Sequence, residues 1–287
     1  MKYIGMAPAK INLTLDVLGK RSDGYHEIST IMQSIPLNDT ITVRLLENDE
    51  IIVNTDSNLV PSGDSNIVFK TARLIKDIYG IEDGIEIQIE KRIPVAAGLA
   101  GGSTDAAAAI KLLDKAYNLR LSKEEMYDVA RRIGADVSFC IDGGTALATG
   151  IGDVLMPIDK IPDCYILIVK PDVSVSTKEI YEGLDVDEVK ERPDIIGIIK
   201  AINDNDLEAI SAKLCNVMEN VTIKKYPIIS DIKQGLLKHG ALGSLMSGSG
   251  PSVFGIFDVT DKAQKAYNNM KSIYAETFLL NTVDLDR

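Results

Sequence analysis

Gly98, Gly101 and Gly102 stand in the stretch Pro94 to Ala109, PVAAGLAGGSTDAAAA, just ahead of a run of helix formers. Glycines there let the backbone come closer to an anion than side chains would allow. A helix starting at this point presents unpaired backbone N–H groups with the positive end of its dipole behind them, a ready site for phosphate. The same residues also suit a plain loop-to-helix junction, with Ser103, Thr104 or Asp105 as the cap. The stretch follows neither G-x-x-x-x-G-K-[ST] nor G-x-G-x-x-G, so phosphate chemistry here must take its cation and catalytic groups from elsewhere in the chain.

Other chemically able residues are scattered. From Tyr3 to Leu18 the pattern alternates as strands do, with Pro8 interrupting it. Ile11, Leu13, Leu15 and Val17 face one side and Lys10, Asn12, Thr14 and Asp16 the other, either as a wall of a site or as the wet face of a half-buried antiparallel strand. RSDGYHE, Arg21 to Glu27, is an Asp-Gly turn carrying Tyr25 and His26, suited to the surface or to a site. In GADVSFC, Gly134 to Cys140, Asp136 sits among small and apolar residues as a helix N-cap or a catalytic carboxylate. Ser247 to Pro251 is a glycine turn between two strands.

The elements that must hold these residues follow from periodicity. Residues 29–54 read as further strands, with turns at Asn38-Asp39 and Glu47 to Glu50. Asn66 to Tyr79 has helical spacing and stops at Gly80, and Gly84 to Glu90 alternates cleanly into the glycine stretch. The Ala-rich helix runs to about Asn118. Ser122 and Glu125 have capping-box spacing ahead of a helix ending near Gly134. Thr145 to Leu155 is a hairpin, and the connector between Pro157 and Pro162 divides the chain into domains 1–160 and 161–287. Beyond it come a strand at Cys164 to Val169, a helix after SVSTKEIYEG, helices at about 193–202, 206–219 and 227–239, two strands within Gly243 to Asp258, a helix near 261–272 and a strand at 276–281. The class is α+β.

Composition narrows the function. Among 287 residues, 45% are apolar and 25% charged, as in ordinary globular proteins. A net charge of −11, with Lys and Arg clustered only as doublets such as Lys91-Arg92, argues against nucleic acid and anionic membranes. Cys140, Cys164 and Cys215 are odd in number and far apart, and His26 and His239 are too distant for a metal cluster. The first residues lack a signal peptide's pattern, and no run of about 18 apolar residues occurs, so a cytoplasmic protein is expected.

PAKINL at 8–13, the glycine stretch at 94–109, GADVSFC at 134–140 and SGSGPSVFGIF at 247–257, in this order, resemble the GHMP kinases, the family of galactokinase, homoserine kinase and mevalonate kinase. The resemblance spans nearly the whole chain. DGYH within residues 9–28 is similar to the branch whose acceptor is a cytidine diphosphate-linked methylerythritol. Ala100 and Thr104 depart from the Gly and Ser commoner in that branch while keeping a tight turn and a hydroxyl.

The resemblance implies a two-domain α+β fold, an N-terminal domain like one of a ribosomal protein and a ferredoxin-like C-terminal domain. It implies ATP and Mg2+ as cofactors. It assigns Asp136 as base and Lys10 as the supporting cation, and gives ATP to Asn66 and to Pro94, Val95, Ala96, Ala97, Gly98, Leu99, Ala100, Gly101, Gly102, Ser103 and Thr104. The acceptor falls to Asn12, Tyr25, His26, Tyr181, Gly248, Ser249 and Gly250, and Ser103 is the candidate metal ligand. A small-molecule substrate is the expected partner, with neither nucleic acid nor membrane, for a monomer or weak homodimer. The alternatives are a homoserine- or mevalonate-type kinase, or a non-catalytic nucleotide-binding protein on the same fold.

Overall fold

The computed structural model describes residues 1–286. Its elements are β1 (Lys2–Lys20), β2 (His26–Leu46), β3 (Ile51–Thr55), α1 (Ile67–Tyr79), β4 (Gly84–Glu90), α2 (Gly101–Tyr117), α3 (Lys123–Ile133), α4 (Ala135–Asp142), β5 (Thr145–Thr149) and β6 (Val154–Pro157). There follow β7 (Tyr165–Lys170), α5 (Thr177–Gly183), α6 (Ile195–Asn203), α7 (Leu207–Ala212), β8 (Cys215–Asn216), α8 (Glu219–Lys225), α9 (Ile228–Lys238), β9 (Gly243–Met246), β10 (Val253–Phe257), α10 (Thr260–Lys271) and β11 (Glu276–Asn281). One sheet runs β3-β4-β2-β1-β8, with β5 on β2 and β6 on β5; the other runs β11-β7-β10-β9.

Two compact units divide the chain. The first comprises Met1–Ala9, Leu37–Val95 and Ala100–Gly143. Here β4 pairs antiparallel with β2 and parallel with β3, and its alternating Ile85, Ile87 and Ile89 are fully buried. Val68, Ala72 and Ile75 form the buried stripe of α1. Asn66 caps that helix by accepting from the Val68 N–H, and Gly80 ends it in the left-handed region at φ 63°. In α2, Ala106, Ala107, Ala108 and Ala109 are all buried, and a Cβ added to Gly5 would lie 3.3 Å from Leu112. Small residues on both sides thus bring helix and strand close. Ser122 and Glu125 form the expected capping box of α3.

The second unit comprises Lys10–Pro36, Ala96–Leu99 and the chain from Gly144 onward. In β7, Ile166, Leu167, Ile168 and Val169 are all buried, so this central strand is covered on both faces. Leu167 and Val169 join Ile229, Ile232 and Leu236 of α9 and Ala263, Ala266 and Met270 of α10 in one core. The Leu, Val, Ile and Met side chains among them each contribute roughly 1.5–3 kcal/mol on burial.

Four local expectations change. Pro8 does not interrupt β1. Its nitrogen points to the same side as that of Lys10, whose N–H bonds the loop carbonyl of Leu99 at 3.1 Å and not a strand, so the missing donor breaks no ladder. The polar side of β1 is not wet: Lys10, Asn12, Thr14 and Asp16 are all buried. No turn forms at Asn38-Asp39, where β2 runs straight through with Asp39 buried. The helix expected at 206–219 stops at Ala212, yields to β8, and resumes as α8.

Candidate functional site

Lys10 is only 4% exposed, and a buried ammonium needs partners. Its Nζ donates to Asn12 Oδ1 at 2.7 Å, Asn12 Nδ2 donates to Thr30 Oγ1 at 2.8 Å, and Thr30 Oγ1 donates to the Thr14 carbonyl at 2.5 Å. A relay of neutral groups along β1 and β2 therefore fixes the ammonium. Asn12, expected to face a substrate, acts first as the spacer that orients Lys10.

The loop Ala96–Leu99 joins this group. The carbonyls of Ala97, Gly98 and Leu99 accept from Ser252 N–H, Ser247 Oγ and Lys10 N–H. With its carbonyls tied inward and left-handed φ values at Ala96, Gly98 and Ala100, the backbone has the alternation that forms anion-binding concavities. Gly98 is required on two grounds: its φ is +75°, and an added Cβ would run into the Ser247 carbonyl oxygen. The opposing turn is equally constrained, since Gly248 (φ +58°) would set a Cβ 3.3 Å from the Gly98 carbonyl oxygen and 3.7 Å from Asn12 Oδ1. Thus the structure brings together Lys10, Asn12, Gly98 and Gly248.

His26 and Tyr181 also meet within this unit, their rings stacked at 4.7 Å between centroids and 21° between planes. Arg21 bridges Asp23 and Glu27 across the preceding turn, leaving the Tyr25 ring 60% exposed. Burial, with Lys20 nearby, holds the His26 imidazole below its ordinary pKa, so the ring is neutral at pH 7 with one donor and one acceptor nitrogen. Ser249 Oγ lies 2.8 Å from Thr177 Oγ1 at the start of α5, the helix that carries Tyr181.

In the first unit, α2 begins at Gly101, with Ala100 at the cap position offering no side chain to its first turn. Ser103, Thr104 and Asp105 are thus inside the helix, and none is the cap. The Thr104 N–H is bonded to the Ala100 carbonyl and its hydroxyl is buried without a hydrogen-bond partner, so Gly101, Gly102 and Ser103 are the donors left to face an anion. Pro94 is buried and Val95 half-buried behind them. Asn66 spends its amide on capping and on the Pro61 carbonyl. Asp136 is half-buried in the first turn of α4, where Gly134 holds the cap position in its place; a carboxylate suits the positive end of that helix.

Beneath the glycine helix lies a charged group that sequence reasoning missed. Lys91 Nζ pairs with Asp105 at 2.7 Å and with Asp39, whose carboxylate also accepts from the Arg92 and Ile93 N–H groups. Lys91 Nζ would stand 3.4 Å from a Cβ placed on Gly101. Burial pushes the Asp105 carboxyl up to about 7, and the neighbouring Asp39 carboxylate adds to this against the pull of Lys91. Burial opposes the charge on Lys91 too, but two carboxylates outweigh it and raise its pKa. Asp39 is held by two backbone donors besides the ammonium, whereas Asp105 Oδ1 is buried without a hydrogen-bond partner. The signal available in the sequence was Lys91-Arg92 directly ahead of the glycine stretch.

This α+β architecture with a glycine-rich helix start matches GHMP kinases N terminal domain over residues 66–144 and GHMP kinases C terminal over residues 198–276. The chain belongs to the GHMP kinase family. It is 48% identical to 4-diphosphocytidyl-2-C-methyl-D-erythritol kinase of Caldicellulosiruptor saccharolyticus, over 97% of this chain and 96% of that protein. It is 50% identical to the kinase of the same name from Thermoanaerobacter pseudethanolicus, over 97% and 95%. A crystal structure of 4-(cytidine 5'-diphospho)-2C-methyl-D-erythritol kinase is similar with a TM-score of 0.83 at 28% identity, covering 97% of this chain and 98% of that one. Homoserine kinase from Cytophaga hutchinsonii, at 23% identity and a TM-score of 0.77 over 98% and 95% of the two chains, shares the fold.

Proposed function

We propose that this chain transfers the γ-phosphoryl group of ATP to the 2-hydroxyl of 4-diphosphocytidyl-2-C-methyl-D-erythritol, a step of the non-mevalonate route to isoprenoid precursors. The observation that supports the cytidylyl acceptor is the stacked His26–Tyr181 pair beside the open Tyr25 ring, in the unit that also holds Lys10. A neutral imidazole reads the donor and acceptor edge of cytosine, and tyrosine rings cover its face. Gly248, Ser249 and Gly250 complete the acceptor contacts.

In the reaction, the acceptor oxygen bonds to the γ-phosphorus as the bond to the β-phosphate oxygen breaks and ADP leaves. Asp136 accepts the hydroxyl proton, and Lys10 offsets charge on the transferring group. Ala96 to Thr104 cradle the phosphates, chiefly through backbone N–H groups at the start of α2. Asn66 bears on the adenine by setting the start of α1. Mg2+ neutralises phosphate oxygens when bound. Among the described residues no group of three or more His, Cys, Asp or Glu that could hold a metal ion converges, and the Ser103 hydroxyl would be a protein ligand beside the nucleotide's own oxygens.

The proposal keeps domains 1–160 and 161–287, supported by the two family matches falling on either side of residue 160. It includes a monomer or weak homodimer acting on a small molecule in the cytoplasm. No helix of the described residues is long and apolar enough to cross a membrane. An ADP-release assay on the purified protein, with the cytidylyl alcohol, homoserine and mevalonate as acceptors, tests the assignment. Turnover of the first is expected; turnover of either other alcohol without it overturns the substrate.

A further inference from the structure

Asn216 is 4% exposed and its amide is fully committed. Nδ2 donates to two carbonyls, Met246 and Gly248, each at 2.8 Å, and Oδ1 accepts from the Met218 N–H at 3.0 Å. The residue belongs to β8, which pairs with β1 through Thr14–Cys215 and Leu15–Asn216, closed by the Val217 N–H on the Leu15 carbonyl at 2.9 Å. The next helical turn adds two contacts: Glu219 Oε1 accepts from the Met246 N–H at 2.9 Å, and Thr222 Oγ1, which donates to the Met218 carbonyl at 3.0 Å, shares that proton with the Ser249 carbonyl at 3.4 Å. Residues 216–222 thus grip the backbone of Met246, Gly248 and Ser249, while strand pairing fixes Asn216 along the strand that carries Lys10 and Asn12.

We infer that Asn216 is a positioning residue: its single amide sets the glycine turn 247–250 against Lys10, Asn12 and the loop at Gly98, and so holds the turn where it binds the acceptor. The acceptor role of the turn rests on the function proposed above; the clamp itself rests on the hydrogen bonds alone. Asn216 spans two carbonyls flanking Ser247, whose hydroxyl holds Gly98. Without those donors, the buried Met246 carbonyl and the half-buried Gly248 carbonyl lose the amide and the turn is free to shift away from β1.

The test is Asn216→Asp, which keeps shape and the acceptor for Met218 but puts a carboxylate oxygen against two carbonyls. Hydrogen exchange of the 246–252 peptide should quicken while the rest of the chain stays protected. With two hydrogen bonds lost, KM for the cytidylyl acceptor should rise about tenfold or more, and KM for ATP should change far less. Thr222→Val, which releases the Ser249 and Met218 carbonyls and spares the Asn216 amide, should move both readouts the same way by a smaller factor, and it decides the matter if the first variant does not fold. Unchanged exchange at 246–252 in a folded variant overturns the clamp. Faster exchange with an unchanged acceptor KM, or an equal rise for ATP, overturns the positioning role. Failure of the wild-type protein to use the cytidylyl acceptor would count against the proposed substrate, leaving the exchange result to judge the clamp.

Discussion

At Gly101 the backbone enters a 17-residue helix with no side chain capping Ala100, whereas at Ser247 to Ser252 the neighbouring carbonyls of Met246, Gly248 and Ser249 are all gripped by side chains. Both segments are rich in glycine and serine. The first has no side chain on its leading N–H groups and rests on buried charges, Lys91, Asp39 and Asp105. The second has its carbonyls satisfied from within by neutral groups, chiefly the Asn216 amide. The contrast teaches that glycine content marks backbone freedom without saying how it is used: one segment leaves the first N–H groups of a helix uncapped by a side chain, the other is held in a fixed shape by side chains from elsewhere in the fold.

If the carboxylate at the start of α4 serves the chemistry and the turn carrying His26 the recognition, the largest effect should come from Asp136→Asn. Turnover should fall by about 10²–10⁴-fold, the usual contribution of a general base, with ATP affinity nearly unchanged in a calorimetric titration. More than a tenth of wild-type kcat would remove Asp136 from the base role. Next comes Gly98→Ala. A matched control is Gly144, whose φ is also +75° but whose added Cβ would meet nothing within 4 Å. Gly144→Ala should cost only the left-handed penalty of roughly 1–2 kcal/mol. Gly98→Ala should cost about 1–3 kcal/mol more, as overpacking does, and should slow turnover; equal melting temperatures would show that the loop and turn are not in rigid contact.

His26→Ala should raise KM for the cytidylyl acceptor about 3- to 10-fold, the worth of one aromatic contact, and leave KM for ATP in place. Equal changes for both substrates would make His26 structural and blur the division of labour. The smallest effect concerns Asp105, whose folded pKa near 7 lies above its unfolded value of 3.8. A raised pKa means that the folded state binds the proton more tightly, so this stabilisation is complete below about pH 4 and is lost as pH rises through 7. Asp105→Asn, a mimic of the protonated acid, should therefore melt higher than wild type at pH 8 and no higher at pH 4. No difference between the two pH values would place the proton elsewhere in the Lys91 group.

What the sequence determined by itself was local. The helix start at Asn66, the stop at Gly80, the alternation of Ile85, Ile87 and Ile89 and the Ser122–Glu125 box are each encoded within a few residues, so periodicity and turn chemistry were enough. The ordered motifs likewise marked the GHMP kinase family. Tertiary structure decided the roles of polar residues whose partners are distant in the chain. Asp39 looked like a turn former, yet it anchors Lys91 and the approach to the glycine helix from 52 residues away. Asn216 lay inside an expected helix, yet it is drawn out of one by carbonyls 30 and 32 residues further on. A buried polar group must be paired, and the identity of its partner is fixed by which strands and turns pack together; hydrophobic spacing reports that a face is buried, not which carbonyl or carboxylate will lie opposite.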